Sequence, residues 1–361
     1  AATRIGKKMH YSALTMRFIQ PASNVLFIVI LVGLLNTGIL GAILAIALSY
    51  ISATLITVFQ LRNIYRNLLT VKVKPVFFSY DILKFSIPTA LVGMLTLANN
   101  WLDRMFVGSM MTTSKVGVYV AASQVAVLFS ILESIFARIF GVMTASFFAE
   151  NQMEKLNNLF TIGTKWALYA SLIFYMFFLA APSAILTLVF GESYAGGATV
   201  LIILSTANLI VAASGFVGSV LVMTHNQNIW LRLSAMTIVI NAALNYLLIP
   251  RYGIEGASIA TGFSMSLVFV SGLVVVKRKL GLFPYDRRYL KGLVATVTTA
   301  AALFGWNRLA PDNDLIIVLV NGIISFSVFT ITLYFMKFDF EEINTIRGVR
   351  RRIRRMSKPA A

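Results

Sequence analysis

Runs of mostly apolar residues, each closed by a short polar or basic segment, recur along almost the whole chain. A helix needs about 20 such residues to cross the roughly 30 Å hydrocarbon layer. Ten runs are long enough, near residues 17–36, 39–61, 83–110, 116–146, 160–186, 196–223, 229–249, 254–277, 288–309 and 314–336. None shows the apolar/polar alternation of an outer-membrane barrel strand, so in lipid each backbone must satisfy itself as helix. The pattern predicts an all-α integral membrane protein with ten transmembrane helices.

Composition agrees. A chain of 361 residues that is 58% hydrophobic and 12% charged, with a mean hydropathy of +0.82, is not a soluble one. The 31 Lys and Arg against 13 Asp and Glu leave a net charge of +18, which so apolar a chain must carry in its loops. Counted along the ten crossings, 26 of the 31 basic residues fall on one side, among them Arg4, Lys7, Arg62, Lys72, Lys155, Arg232 and Lys277. The other side holds Lys115, Arg251 and Arg308, while Arg104 and Arg138 fall inside helices. A wrong count would mix the two sets, so the asymmetry predicts both termini on the cytoplasmic face of the inner (cytoplasmic) membrane. The segment RGVRRRIRRMSK puts six arginines within residues 347–355. Beside a last crossing, such a tail is drawn to anionic lipid headgroups by about 1 kcal/mol per charge, and this reading displaces nucleic acid.

Residues 38–49, GILGAILAIALS, and 253–264, GIEGASIATGFS, share six identities at a constant offset of 215. Arg17 and Arg232 keep the same offset. The repeat pairs the first two helices with the seventh and eighth, copies that run in the same direction, as in transporters built from parallel halves. It predicts three parts: residues 1–66 as the last two helices of an N-terminal lobe, 80–280 as a complete six-helix lobe, and 281–361 as two added helices with the basic tail. With no leading Met and no signal peptide in residues 1–16, the expectation is a fragment lacking roughly 130 preceding residues. The small residues of the repeat, in the pairs Ala260/Ser264 and Gly262/Ser266, read as close-packing stripes.

Zero cysteines exclude disulfides and thiolate chemistry. The two histidines, His10 and His225, read as ordinary loop residues. No HExxH, GxSxG or GxxxxGK[ST] occurs, so neither catalysis, a metal nor a cofactor is expected. Charge at membrane depth is different, because each such group costs about 2.5–3.5 kcal/mol on insertion and marks function by default. The segment LANNWLDRMFVG carries Asn99, Asn100, Asp103 and Arg104. Asn99 and Asp103 share a helix face, whereas Arg104 is turned about 100° from Asp103. They read either as a wet patch with Asp103 as a cation or proton site, or as an interhelical pairing that only fixes packing. Glu133 lies near mid-depth and reads as a coupling-ion candidate rather than a buried structural acid; Arg138, further toward the cytoplasm, either meets a ligand or snorkels to the interface. Asn241 and Asn245, again four apart, read first as interhelical hydrogen-bonding groups.

The segments LKFSIPTALVGMLTLANNWLDRMFVG and VGVYVAASQ (83–124), ILTLVFGESYAGGATVLIIL (185–204) and INAALNYLLIPRYGIEGASIATGFS (240–264) resemble the oligosaccharide/polysaccharide flippases of the MATE-like superfamily, the O-antigen translocases among them. The resemblance implies two six-helix lobes and two extra helices around a central cavity, moving a lipid-diphosphate-linked oligosaccharide by alternating access for cell-surface polysaccharide synthesis. It implies Arg104 or Arg138 as partners of the diphosphate, with Asn99 and Asn100 beside the substrate, and Asp103 and Glu133 as proton or sodium coupling groups. An ion-coupled multidrug exporter of the same superfamily is the nearest alternative. A membrane polymerase or ligase is disfavoured because the external connections are too short for a catalytic domain.

Overall fold

The computed structural model describes residues 15–64, 79–286, 289–311 and 313–336, and within them the chain is helical with no strand. It divides into two units, Ala1–Phe77 with Ile346–Ala361, and Phe78–Thr345.

The first unit contains α1, Gln20–Ile28, extended by π-helical turns at Thr15–Ile19 and Val29–Leu34, and α2, Gly38–Ile64. Ala45, Ser49 and Ala53 recur every four residues along α2 and are buried, a seam of small side chains that lets helices approach closely. Gln20 Nε2 donates to Ser49 Oγ at 3.4 Å and Thr15 to Gln60 Oε1 at 3.2 Å, so polar groups as well as small ones hold the pair.

The second unit contains α3 (Ser79–Met110), α4 (Thr113–Ala126), α5 (Leu128–Ala149), α6 (Met153–Ala180), α7 (Pro182–Phe190), α8 (Ala198–Ser214), α9 (Val217–Met223), α10 (Gln227–Leu280), α11 (Tyr289–Asn307) and α12 (Asp314–Phe335). Each of the ten predicted runs coincides with helix over most of its length, though the fourth to the eighth are divided or joined differently. The fourth run is broken at Val127, the fifth at Ala181, before Pro182, whose missing N–H suits a helix start, and the sixth at Gly215–Phe216. The seventh and eighth form one 54-residue helical element, interrupted where Gly253 takes φ 60° and ψ −136°. That positive φ is one that glycine adopts without strain. It folds α10 on itself, since Gly256 packs directly against the Leu248 carbonyl with no room for a Cβ. Among the described residues, five helical segments are each long and apolar enough to cross a membrane: Gly38–Gln60, Met153–Ala180, Glu192–Ser214, Gln227–Leu280 and Asp314–Phe335.

Two apolar clusters close the ends of this unit. One joins Val107, Ala122, Phe178, Leu186, Leu201 and Ile249; the other joins Leu156, Phe160, Val217, Leu221, Leu233 and Val276. Gly262 touches α8, where a Cβ would stand 3.2 Å from Ala207 Cβ, as expected for a close-packing stripe. α11 and α12 lie on α6 through Tyr169, Ala295 and Phe329. Large apolar side chains such as Met94, Val239, Tyr246, Phe263 and Val270 remain exposed, an arrangement tolerated in lipid and not in water.

Candidate functional site

Between the two clusters lies a cavity of about 490 Å³, walled by α3, α4, α8 and both legs of α10. Four of the six residues singled out from the sequence line it: Asn99, Asn100, Asp103 and Arg104. The backbone of Glu133 and Arg138 lies in α5, but their side chains fall outside the described residues. His10 and the basic tail fall outside them as well.

Asp103 is the centre of the site. It is only 6% exposed, and three side chains from α10 donate to it: Asn241 Nδ2 at 2.9 Å and Asn245 Nδ2 at 2.8 Å to Oδ1, and Thr261 Oγ1 at 2.7 Å to Oδ2. Asn241 also reaches Asn99 Oδ1 at 3.2 Å, so the two polar pairs legible in the sequence, Asn99/Asp103 and Asn241/Asn245, face one another. Buried Tyr119 of α4 brings its hydroxyl to the same carboxylate. The fold at Gly253 makes this possible, because it returns Thr261 to the depth of Asn245.

The donors do not exhaust the acceptors. Asn241 Oδ1 receives Asn245 Nδ2 at 2.9 Å, but Asn245 Oδ1 is buried without a hydrogen-bond partner. A buried unsatisfied carbonyl costs about 1–3 kcal/mol, so one beside a carboxylate asks for a hard cation or a proton donor. Among the described residues, no cluster of His, Cys, Asp and Glu suited to a transition metal occurs. Asn241 and Asn245 thus join packing and chemistry in one role, while Tyr119 and Thr261 carried no sequence signal, since single hydroxyls in apolar helices are common.

Arg104 points elsewhere, as its 100° offset from Asp103 requires. It lies over the Trp101 ring at 5.2 Å and forms no salt bridge among the described residues, which leaves a half-buried guanidinium lining the cavity. The cavity therefore holds a satisfied carboxylate on one α3 face and a cation on the next.

No family model matches the chain. In sequence it is similar to the probable low-salt glycan biosynthesis flippase Agl15 of Haloferax volcanii, 23% identical over 265 residues covering 72% of this chain and 54% of that protein. The chain thus spans about half the length of this curated relative. In fold it matches the lipid II flippase MurJ in an inward closed conformation, with a TM-score of 0.63, 16% identity and coverage of 91% of this chain and 70% of MurJ. It also matches a point mutant of a MATE transporter, with a TM-score of 0.59, 15% identity and coverage of 76% of this chain and 62% of that one. The chain is a multi-pass membrane protein with the fold of the MATE-like transporters, and its sequence is similar to probable glycan flippases.

Proposed function

We propose that the chain carries the lobe and accessory helices of a flippase moving a lipid-diphosphate-linked oligosaccharide across the cytoplasmic membrane by alternating access. The observation that carries this reading is the cavity holding both Arg104 and the Asp103 cluster, in a chain similar to a glycan flippase. Arg104 would pair with the diphosphate, and Asn99 and Asn100 would meet the head group. Asp103, with Asn245 Oδ1 and the Thr261 hydroxyl, would take up and release a proton or sodium ion. Glu133 and Arg138 stand as further coupling-ion and diphosphate candidates. No covalent step is needed: the barrier is desolvation of the head group, and reorientation of the lobes lowers it, so the reading is not of an enzyme. It includes ten crossings, cytoplasmic termini, a six-helix lobe over 80–280 and a basic tail on anionic lipid.

An ion-coupled exporter of small molecules is the second reading, favoured by the MATE-like fold together with an acidic cavity residue. The complete gene, expressed in a strain lacking its glycan translocase, decides between them. Restored surface glycan that is lost with Arg104→Gln and Asp103→Asn supports the flippase. Drug resistance without restored glycan supports the exporter and overturns the first reading.

A further inference from the structure

The cavity end remote from Asp103 has a chemistry of its own. Trp230, half-buried at the start of α10, is held rigidly from several sides. Its indole lies so close to Gly218 of α9 that a Cβ there would stand 2.7 Å from the ring, and a Cβ at Gly272 would stand 3.5 Å from it. Phe269 meets it edge to face, with centroids 5.3 Å apart and an interplanar angle of 80°. The remaining surface of both rings lines the cavity. Ser234 and Thr237 follow at four and seven residues and line the same cavity, since that spacing keeps one helix face. Across from them Asn208 of α8 gives its Nδ2 to the Leu204 carbonyl at 2.8 Å, which leaves its Oδ1 to accept from a ligand.

A flat, fixed apolar ring beside a row of hydroxyls and an amide matches a ligand with a C–H face and a hydroxyl rim. Aromatic side chains of this amphipathic kind bind well at low entropic cost because they are already immobile. A sugar ring has that shape and chemistry. An organic cation would need a carboxylate nearby; the site's carboxylate is anchored at Asn241, 11 positions along the helix from Trp230, or about 16 Å at 1.5 Å per residue.

We propose that Trp230, Ser234, Thr237 and Asn208 form a subsite for one neutral sugar ring of the cargo, stacked on the indole and hydrogen-bonded at its edge. The proposal rests on the glycan-translocation reading and fixes where the sugar lies relative to the cation cluster.

The test uses the complete gene product in nanodiscs with Trp230 as the sole tryptophan, through Trp101→Phe, Trp166→Phe and Trp306→Phe together with Phe in place of every tryptophan outside these 361 residues. Its emission is titrated with three neutral disaccharides (N,N′-diacetylchitobiose, maltose and mannobiose) and with tetraphenylphosphonium, and binding is followed in parallel by calorimetry. The expected result is a saturable emission change with at least one disaccharide, weakened about tenfold by Ser234→Ala with Asn208→Ala, the loss expected for about two hydrogen bonds. Disaccharide binding by calorimetry with no emission change, or no binding of any of the three, overturns the subsite. Tetraphenylphosphonium binding together with drug export and no glycan translocation overturns the reading beneath it. Calorimetry on the wild type and Trp230→Leu makes the same comparison where the triple substitution fails to fold, and equal affinities then overturn the subsite.

Discussion

Asn245 donates to Asp103 across 142 positions of sequence at 2.8 Å, and its own carbonyl oxygen is left buried and unbonded beside that carboxylate. One amide thus solves half of a problem and creates the other half. Its nitrogen stabilises the charge of Asp103, while its oxygen adds an acceptor that the fold does not satisfy. A small cation bridging the two oxygens, or a proton shared there, removes the cost.

The first prediction follows from that geometry. Sodium or protons should stabilise the wild-type protein by mass action, about 2.7 kcal/mol at one hundred times the dissociation constant. Thermal melts in sodium chloride against choline chloride, and at stepped pH, should show a cation-dependent rise that Asp103→Asn removes. Equal melting curves for wild type and Asp103→Asn under every condition would sink the assignment.

Removing a donor instead of the acid gives a second expectation. Asn241→Ala leaves a buried carboxylate and Asn99 each short of a partner, at a cost of roughly 1–3 kcal/mol. Because Asp103 and Asn241 touch, the double variant with Asp103→Ala should lose less than the two singles together, with a coupling of about 0.5–3 kcal/mol in a double-mutant cycle of denaturant unfolding. Strict additivity would mean the two side chains act independently.

The sequence announced much of this site and little of its walls. Amides and acids in an apolar helix are costly enough to stand out, and their four-residue spacing put Asn99 with Asp103 and Asn241 with Asn245 before any fold was known. That the two pairs meet was not legible, because spacing within a helix says nothing of which helices adjoin. Tyr119, Thr261 and Trp230 gave no warning: each is a usual residue in a membrane helix, and only the fold at Gly253 and the approach of α4 and α9 give them a role. The all-helical architecture followed from the apolar runs alone, whereas the breaks at Val127 and Ala181 did not, since hydropathy averages over a bend.

The turn of α10 makes a third prediction. Gly253→Ala forces a side chain into the positive-φ region and should cost about 1–3 kcal/mol. Gly256→Leu should do more, for it drives a branched side chain into the Leu248 backbone and pulls Thr261 away from Asp103. Thermal melts with and without sodium separate the effects: Gly253→Ala should keep a sodium response, and Gly256→Leu should lose it together with stability. A sodium response undiminished in Gly256→Leu would argue that the two legs of α10 need not lie together.

Arg104 offers a test of the substrate's charge. A guanidinium pairs two phosphate oxygens at once and an ammonium does not, so Arg104→Lys should translocate poorly and Arg104→Gln hardly at all. Surface glycan measured in complemented cells gives the ranking. Since Arg104 forms no salt bridge with Asp103 among the described residues, neither variant should abolish the sodium response, and a coincident loss of both would mean that the cation and the cargo are read by one group.

The repeat gives a last prediction, on stoichiometry. Subtracting 215 from Asn241, Asn245 and Thr261 lands on Leu26, Ile30 and Ile46, all apolar and all exposed in the first unit. None can donate to or coordinate anything, so the first two helices hold no counterpart of the Asp103 cluster even where their glycines and serine match. The Asp103 cluster therefore occurs once in this sequence, and Asp103→Asn in the purified complete gene product should lower the radioactive sodium bound in equilibrium dialysis by one ion per chain. If protons are the coupling ion, one proton per chain should be taken up on acidification of wild type beyond that taken up by Asp103→Asn. Sodium or proton uptake undiminished by Asp103→Asn would break the link drawn between this cluster and coupling.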